Sequence, residues 1–328
     1  MRRGTLVTMN TPAIEAHGLV KKFGSFRAVD GVDLLVPTGS VYGVLGPNGA
    51  GKTTTVKMLA TLLRPDAGEA KIFGYDVIKD AVAVRSMVGV TGQYASVDED
   101  LTASENLEVF GRLLGLSARQ AKARGSDLLE EFSLTEAANR PLKEFSGGMR
   151  RRLDLASSLI ATPPLLFLDE PTTGLDPRTR SQMWETIRHL VSEGATVLLT
   201  TQYLDEADQL ADRIAVIDHG KVIADGTSSE LKRSIGSSTL ILTPADREHA
   251  ADAMAVVERA LGENVTLSPE AGRISAPLSD PDLVTNVLVA LREKNIGIAE
   301  LTVAQPTLDE VFLTITGKPA DDSPEEAA

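Results

Sequence analysis

Residues 46–53 read GPNGAGKT, and no other stretch restricts the fold of this chain so tightly. The pattern G-x-x-x-x-G-K-[ST] needs a buried strand to enter it and a helix to leave it. Its glycines let successive backbone N–H groups wrap a phosphate, and the helix N-terminus adds roughly half a positive charge. Both flanks are present: SVYGVLG (40–46) is an apolar run stopped by glycine, and KTTTVKMLATLL (52–63) carries apolar residues at helical spacing. Gly46, Pro47, Asn48, Gly49, Ala50 and Gly51 therefore shape the loop, Lys52 reaches the terminal phosphates, and Thr53 is placed to hold Mg²⁺ with Thr54 beside it on the nucleotide. The chain is expected to bind a nucleoside triphosphate with Mg²⁺.

Further runs place this loop in an α/β core. ATPPLLFLDEP (161–171) is a short apolar stretch bounded by prolines, as in a strand covered on both faces of a parallel sheet. ATVLLTTQ (195–202) reads the same way, and RIAVIDHGKVIADG (213–226) reads as two strands joined by a hairpin at His219-Gly220. Beside a phosphate loop, Asp169 is the expected metal residue. Glu170 is then placed to take a proton from the attacking water, a role worth typically about 10²–10⁴-fold in rate. Gln202 ends its strand at the carboxyl edge of the sheet, where open α/β sheets bind ligands.

Between about 94 and 164 the texture becomes helical, in SENLEVFGRLLGL, ARQAKARGSDLLEEFSL and FSGGMRRRLDLASSLIA. From about Ser238 the order changes to strand, helix, two strands, helix, strand, the split βαβ arrangement of ferredoxin-like domains. The predicted organisation is an ATPase domain over 1–235, an accessory α+β domain over 236–317 and an acidic, disordered tail over 318–328.

Composition narrows the partners. A net charge of -13 repels phosphate backbones, so no nucleic-acid partner is expected. With no cysteine there is neither a disulfide nor a thiolate metal site. No apolar run approaches the roughly 20 residues that a membrane-spanning helix needs. Arg150, Arg151 and Arg152 form a basic run that a helix spreads around a solvated face, and Trp184 reads as a packing residue.

FSGGM (145–149), opening a helix just upstream of LLFLDEP, resembles the signature motif of ABC-type ATPases, and together with the two motifs above the resemblance covers residues 14 to about 235. It implies two copies facing head to tail, with Ser146, Gly147, Gly148 and Met149 closing the ATP site of the partner. Another helix N-terminus with exposed N–H groups is indeed a second anion site. Carried over residue by residue, Phe23 matches the aromatic that stacks on adenine, with Phe26 as competing choice. Gln93 matches the glutamine that touches Mg²⁺, and Asp176 the polar contact of the loop crossing the dimer interface. Gln202 stands where the family has histidine. A glutamine amide still donates to a phosphate oxygen but never becomes cationic, which leaves Glu170 as the base.

QPTLDEVFLTITG (305–317), FSGGMRRRLDLA and TTQYLDEAD look like the daunorubicin-resistance subfamily, which implies export of an amphipathic drug or lipid through a separate polytopic membrane permease, driven from the cytoplasmic face of the membrane. Two other classes stay open. One is a soluble ABC ATPase of repair or translation, although those usually carry a long coiled coil or two cassettes. The other is a regulatory protein in which ATP controls dimerisation.

Overall fold

The computed structural model describes residues 11–92, 97–236, 238–262, 265–268 and 272–317. Gln93 and the 318–328 tail lie outside them. The chain divides into two compact units, the first ending at Ser228 and the second beginning at Ser229. The division falls after the first residue of the helix Ser228–Ile235, whereas the sequence suggested a linker just after that helix.

The first unit opens with a hairpin of β1 (Ile14–Phe23) and β2 (Phe26–Val36), followed by β3 (Val41–Leu45) and, after the phosphate loop, α1 (Lys52–Leu59). Next come β4 (Ala67–Ile72), β5 (Tyr75–Asp76), α2 (Ala81–Arg85) and β6 (Val88–Thr91). Three helices form the insertion: α3 (Ala103–Leu113), α4 (Ala118–Glu131) and α5 (Gly147–Ser158). The core then resumes with β7 (Leu165–Asp169), α6 (Pro177–Ser192), β8 (Thr196–Thr201), α7 (Leu204–Leu210), β9 (Arg213–Asp218) and β10 (Lys221–Gly226).

Two sheets result. One is antiparallel, in the order β2-β1-β4-β5. The other runs β10-β9-β3-β8-β7-β6 and is parallel except for the β9–β10 hairpin. The alternation along β7 shows why its run is continuously apolar. Leu165 and Phe167 join a core with Tyr42, Val44 and the α1 residues Val56 and Leu59, whereas Leu166 and Leu168 join a core with the insertion's Leu107, Leu128 and Leu153. Both faces are covered, and each such side chain removed from water stabilises the fold by about 1.5–3 kcal/mol. Because β3, β8 and β7 are parallel neighbours, the segments leaving them all emerge at one edge.

The insertion helices are delimited by reciprocal caps. Thr102 accepts from the Glu105 N–H while Glu105 accepts from the Thr102 N–H, and Ser117 and Gln120 repeat the arrangement. In α6, Asp176 caps the first turn with Pro177 behind it.

The second unit contains α8 (Ser228–Ile235), β11 (Ser238–Pro244), α9 (Ala250–Leu261), β12 (Thr266–Ser268), β13 (Arg273–Leu278), α10 (Leu283–Glu293), β14 (Ile298–Ala304) and α11 (Leu308–Thr316). Its antiparallel sheet has the order β12-β13-β11-β14. Leu240, Leu242, Ile274 and Ala276 of the sheet pack with Ala253 and Val257 of α9 and with Val287 and Leu291 of α10. Among the described residues no helix is long and apolar enough to cross a membrane.

Candidate functional site

The phosphate loop leaves β3 beneath walls of backbone. A Cβ on Gly46 would lie 2.2 Å from the Ile217 carbonyl oxygen, and one on Gly51 would lie 2.3 Å from the Ala28 oxygen at a φ of 106°. Only glycine fits at either point. The β9–β10 turn, with His219 at φ 46° and Gly220 at φ 78°, supports the loop from outside, the Gly220 N–H donating to the Ala50 oxygen at 2.9 Å.

Lys52 is 4% exposed and folds back over this loop. Its Nζ donates to the Gly46 oxygen at 2.7 Å and the Pro47 oxygen at 3.1 Å, and it lies 3.6 Å from Glu170 Oε1. Burial pushes its pKa down, while the carboxylates of Glu170 and Asp169 oppose that shift and favour the charged form. Thr53 Oγ1 donates to Asp169 Oδ1 at 3.0 Å, and Thr200 Oγ1 donates to the same oxygen at 2.5 Å. A hydroxyl and a carboxylate side by side suit a hard cation that keeps several waters and substrate phosphates as ligands, as Mg²⁺ does. No group of three or more His, Asp or Glu able to hold a metal by protein ligands alone occurs among the described residues.

Glu170 follows directly, 7% exposed, with φ of 49°. Left-handed backbone is uncommon for a residue with a side chain and persists only where its surroundings over-determine it. Here the Glu170 N–H donates to both the oxygen and Oγ1 of Thr200 at 3.1 Å, and Thr173 Oγ1 donates to Glu170 Oε2 at 3.3 Å.

Arg151 corrects the sequence reading. It does not lie on a solvated face: its side chain is 12% exposed, and it donates to four backbone oxygens. These are Gly92 at 2.7 Å, Asp169 at 2.7 Å, Glu170 at 2.9 Å and Pro171 at 3.0 Å. Burial lowers its pKa, opposed by Asp154 and by the acids of the site. The signal was present in the helix period, because Arg151 shares its face of α5 with Asp154 and Leu155, both buried. Arg150 pairs with Glu99, and Arg152 donates to the Phe132 oxygen at 3.1 Å.

The remaining candidates stand at separate places. Phe23 and Phe26 face each other across the tip of the β1–β2 hairpin, 52% and 60% exposed, and both line the cleft with Asn48 to Thr54 and Glu170. Ser146 caps α5, accepting from the Met149 N–H at 3.3 Å. A Cβ on Gly147 would meet open space, and one on Gly148 would approach Thr179 at 2.5 Å. None of residues 146–149 lines the cleft of their own chain, as far as the described residues extend. Asp176 accepts from the N–H and hydroxyl of Thr179 at 3.0 and 2.6 Å, and the Thr179 hydroxyl holds its carboxyl below the usual range. Gln202 follows β8, and its Oε1 is buried with no hydrogen-bond partner among the described residues. Such a group calls for a reason. Trp184 packs against the insertion core as expected, and it also donates to Glu206, a buried acid that the sequence reading overlooked.

Comparison with known proteins identifies relatives of the chain. The ABC transporter family matches residues 29–173. The chain is 56% identical to the daunorubicin/doxorubicin resistance ATP-binding protein DrrA of Streptomyces peucetius, over 98% of each chain. It is 40% identical to the Nod factor export ATP-binding protein I of Ralstonia nicotianae, over 94% of this chain and 95% of that one. A solved dimeric ATP-binding cassette, in a post-hydrolysis state bound to ADP and Pi, superposes with a TM-score of 0.60 at 25% identity, covering 65% of this chain and 98% of that one.

Proposed function

The chain belongs to the ABC transporter ATP-binding subunits, and from that premise we propose that it hydrolyses ATP as a head-to-tail pair to drive export of an amphipathic drug or lipid through a separate membrane permease. The observation that carries this reading is the convergence of Lys52, Thr53, Asp169 and Glu170 at the ends of neighbouring strands, with Lys52 Nζ 3.6 Å from Glu170 and Thr53 3.0 Å from Asp169.

The roles follow from the chemistry of each group. Lys52 exchanges its carbonyl contacts for the terminal phosphates, and the loop N–H groups hold the remaining phosphate charge. Mg²⁺, held by Thr53 and Asp169 with Gln93 as a further ligand, would neutralise charge on the phosphates. Glu170 accepts the proton of the attacking water. Phe23, or Phe26 beside it, stacks on the adenine. Ser146, Gly147, Gly148 and Met149 serve the partner's ATP, and Asp176 meets the partner across the interface. The open space at Gly147 and the absence of these residues from their own cleft support that assignment.

Gln202 donates its amide N–H to the γ-phosphate and orients the water. Its place directly after β8, at the carboxyl edge of the parallel sheet, supports that reading, because an amide there can donate to a phosphate oxygen. Gln202→Ala is expected to lower hydrolysis by roughly 10–10³-fold, the scale of losing one preorganised donor. Steady-state ATPase assays check this, and equal turnover by mutant and parent rejects it.

Export is supported by relatives named for drug resistance and for export. The subunit would sit peripherally at the cytoplasmic face of the membrane, held by its permease. Purification from mild detergent extracts should recover the chain with a polytopic membrane protein. Recovery without one would favour a soluble ABC role.

A further inference from the structure

Glu206 lies on α7 with no exposed surface. Its Oε1 accepts from the Thr172 hydroxyl at 2.8 Å and from Trp184 Nε1 at 3.2 Å. Its Oε2 is sealed from solvent without a hydrogen-bond partner of normal geometry among the described residues, although the Thr201 hydroxyl lies alongside. Among the described residues no cation forms an ion pair with it, and Arg180 acts from farther away. Burial accordingly pushes this carboxyl above its usual range, against the pull of the neighbouring Thr201, Thr172 and Trp184 groups and of Arg180.

A buried acid of this kind is a poor way to stabilise a domain, because an apolar side chain of similar volume generally does as well or better. What Glu206 does is join elements. Thr172 stands two residues beyond Glu170, on the segment that continues to Asp176. Trp184 stands on α6, the helix that Asp176 caps. Thr201 closes β8 directly before Gln202, and Glu206 itself lies four residues after Gln202. One carboxyl group thus touches the segment carrying the base, the helix beginning at the interface loop, and the turn carrying the γ-phosphate donor.

We propose that Glu206 is a positioning residue that locks the 170–176 segment, α6 and the 201–203 turn into one unit, so that Glu170 and Gln202 keep their relative placement through turnover. The proposal rests on the roles given to those two residues above. Trp184 is the sole tryptophan of the chain and hydrogen-bonds Glu206 directly, so its emission reports the state of this junction.

The test uses the full chain with Glu206→Ala, Glu206→Gln and Thr172→Val, reading kcat and KM for ATP, the thermal midpoint and Trp184 emission. Losing one positioned contact is expected to lower kcat by about 10-fold or more in Glu206→Ala, equivalent to about 1.4 kcal/mol, with KM moving less than about twofold and the emission shifting to the red. Glu206→Gln keeps a carbonyl oxygen for both donors and should recover most of the lost kcat. Thr172→Val removes only the hydroxyl, and it should fall in the same direction even if Glu206→Ala does not fold. Parental kcat in Thr172→Val or in a folded Glu206→Ala would overturn the proposal. So would parallel loss of kcat, ATP affinity and thermal midpoint without recovery in Glu206→Gln. A wrong assignment of the base shows separately, as parental turnover in Glu170→Gln.

Discussion

Glu170→Gln is expected to lower ATP turnover by about 10²–10⁴-fold, the range of a lost general base, while the protein accumulates as an ATP-bound dimer. The substitution preserves shape, and the amide oxygen can still accept from Thr173, which donates to Oε2 at 3.3 Å in the parent. It removes basicity together with a negative charge 3.6 Å from Lys52. ATP binding, which draws on the loop N–H groups and Lys52, therefore persists, while the step that needs a proton acceptor stalls. On the roles proposed above, Gln202 cannot take a proton in place of a histidine and so does not stand in for Glu170 as base. Light scattering after size exclusion in saturating ATP and Mg²⁺ should show a doubled mass, alongside single-turnover rates far below the parent. A monomer under those conditions, or parental turnover, would count decisively against the paired-site reading.

What was legible in the sequence follows from what periodicity encodes. The buried parallel strands carry continuous apolar runs because both faces are covered, and the phosphate loop announces itself because its glycines answer to backbone clashes at Gly46 and Gly51. Their order in the sheet was not written locally, yet it brings Asp169, Glu170 and the Thr201–Gln202 turn beside the loop. The antiparallel sheet built on Ile14–Val36 also escaped notice. Its strands mix exposed and buried positions with bulges, as between Ala16 and Leu19, so strict alternation is lost. Glu206 and Arg151 were missed for a common reason: charged residues on helices are read as solvated by default, and only tertiary packing shows that each faces a buried loop.

Arg151 gives that lesson its largest measurable consequence. Its guanidinium donates to the oxygens of Asp169, Glu170 and Pro171 on the segment that carries the proposed base, and to Gly92 just after β6. Arg151→Leu fills similar volume but leaves four acceptors facing an apolar group and takes a positive charge from beside Asp154, 3.7 Å away. Breaking a buried, hydrogen-bonded charge costs about 3–5 kcal/mol, which for a domain of this size corresponds to a fall of about 6–20 °C in thermal midpoint. Arg151→Lys should fall between parent and Arg151→Leu, since an ammonium keeps the charge but not the planar fork that reaches four oxygens. Turnover measured below both midpoints should drop as well, because Glu170 sits at a φ of 49° that its surroundings must enforce. Circular-dichroism melting with parallel ATPase assays decides the matter. A midpoint within about 2 °C of the parent, small against the shift expected from lost buried bonds, would mean that the four carbonyls find water or other donors and that the guanidinium is not what holds the catalytic segment.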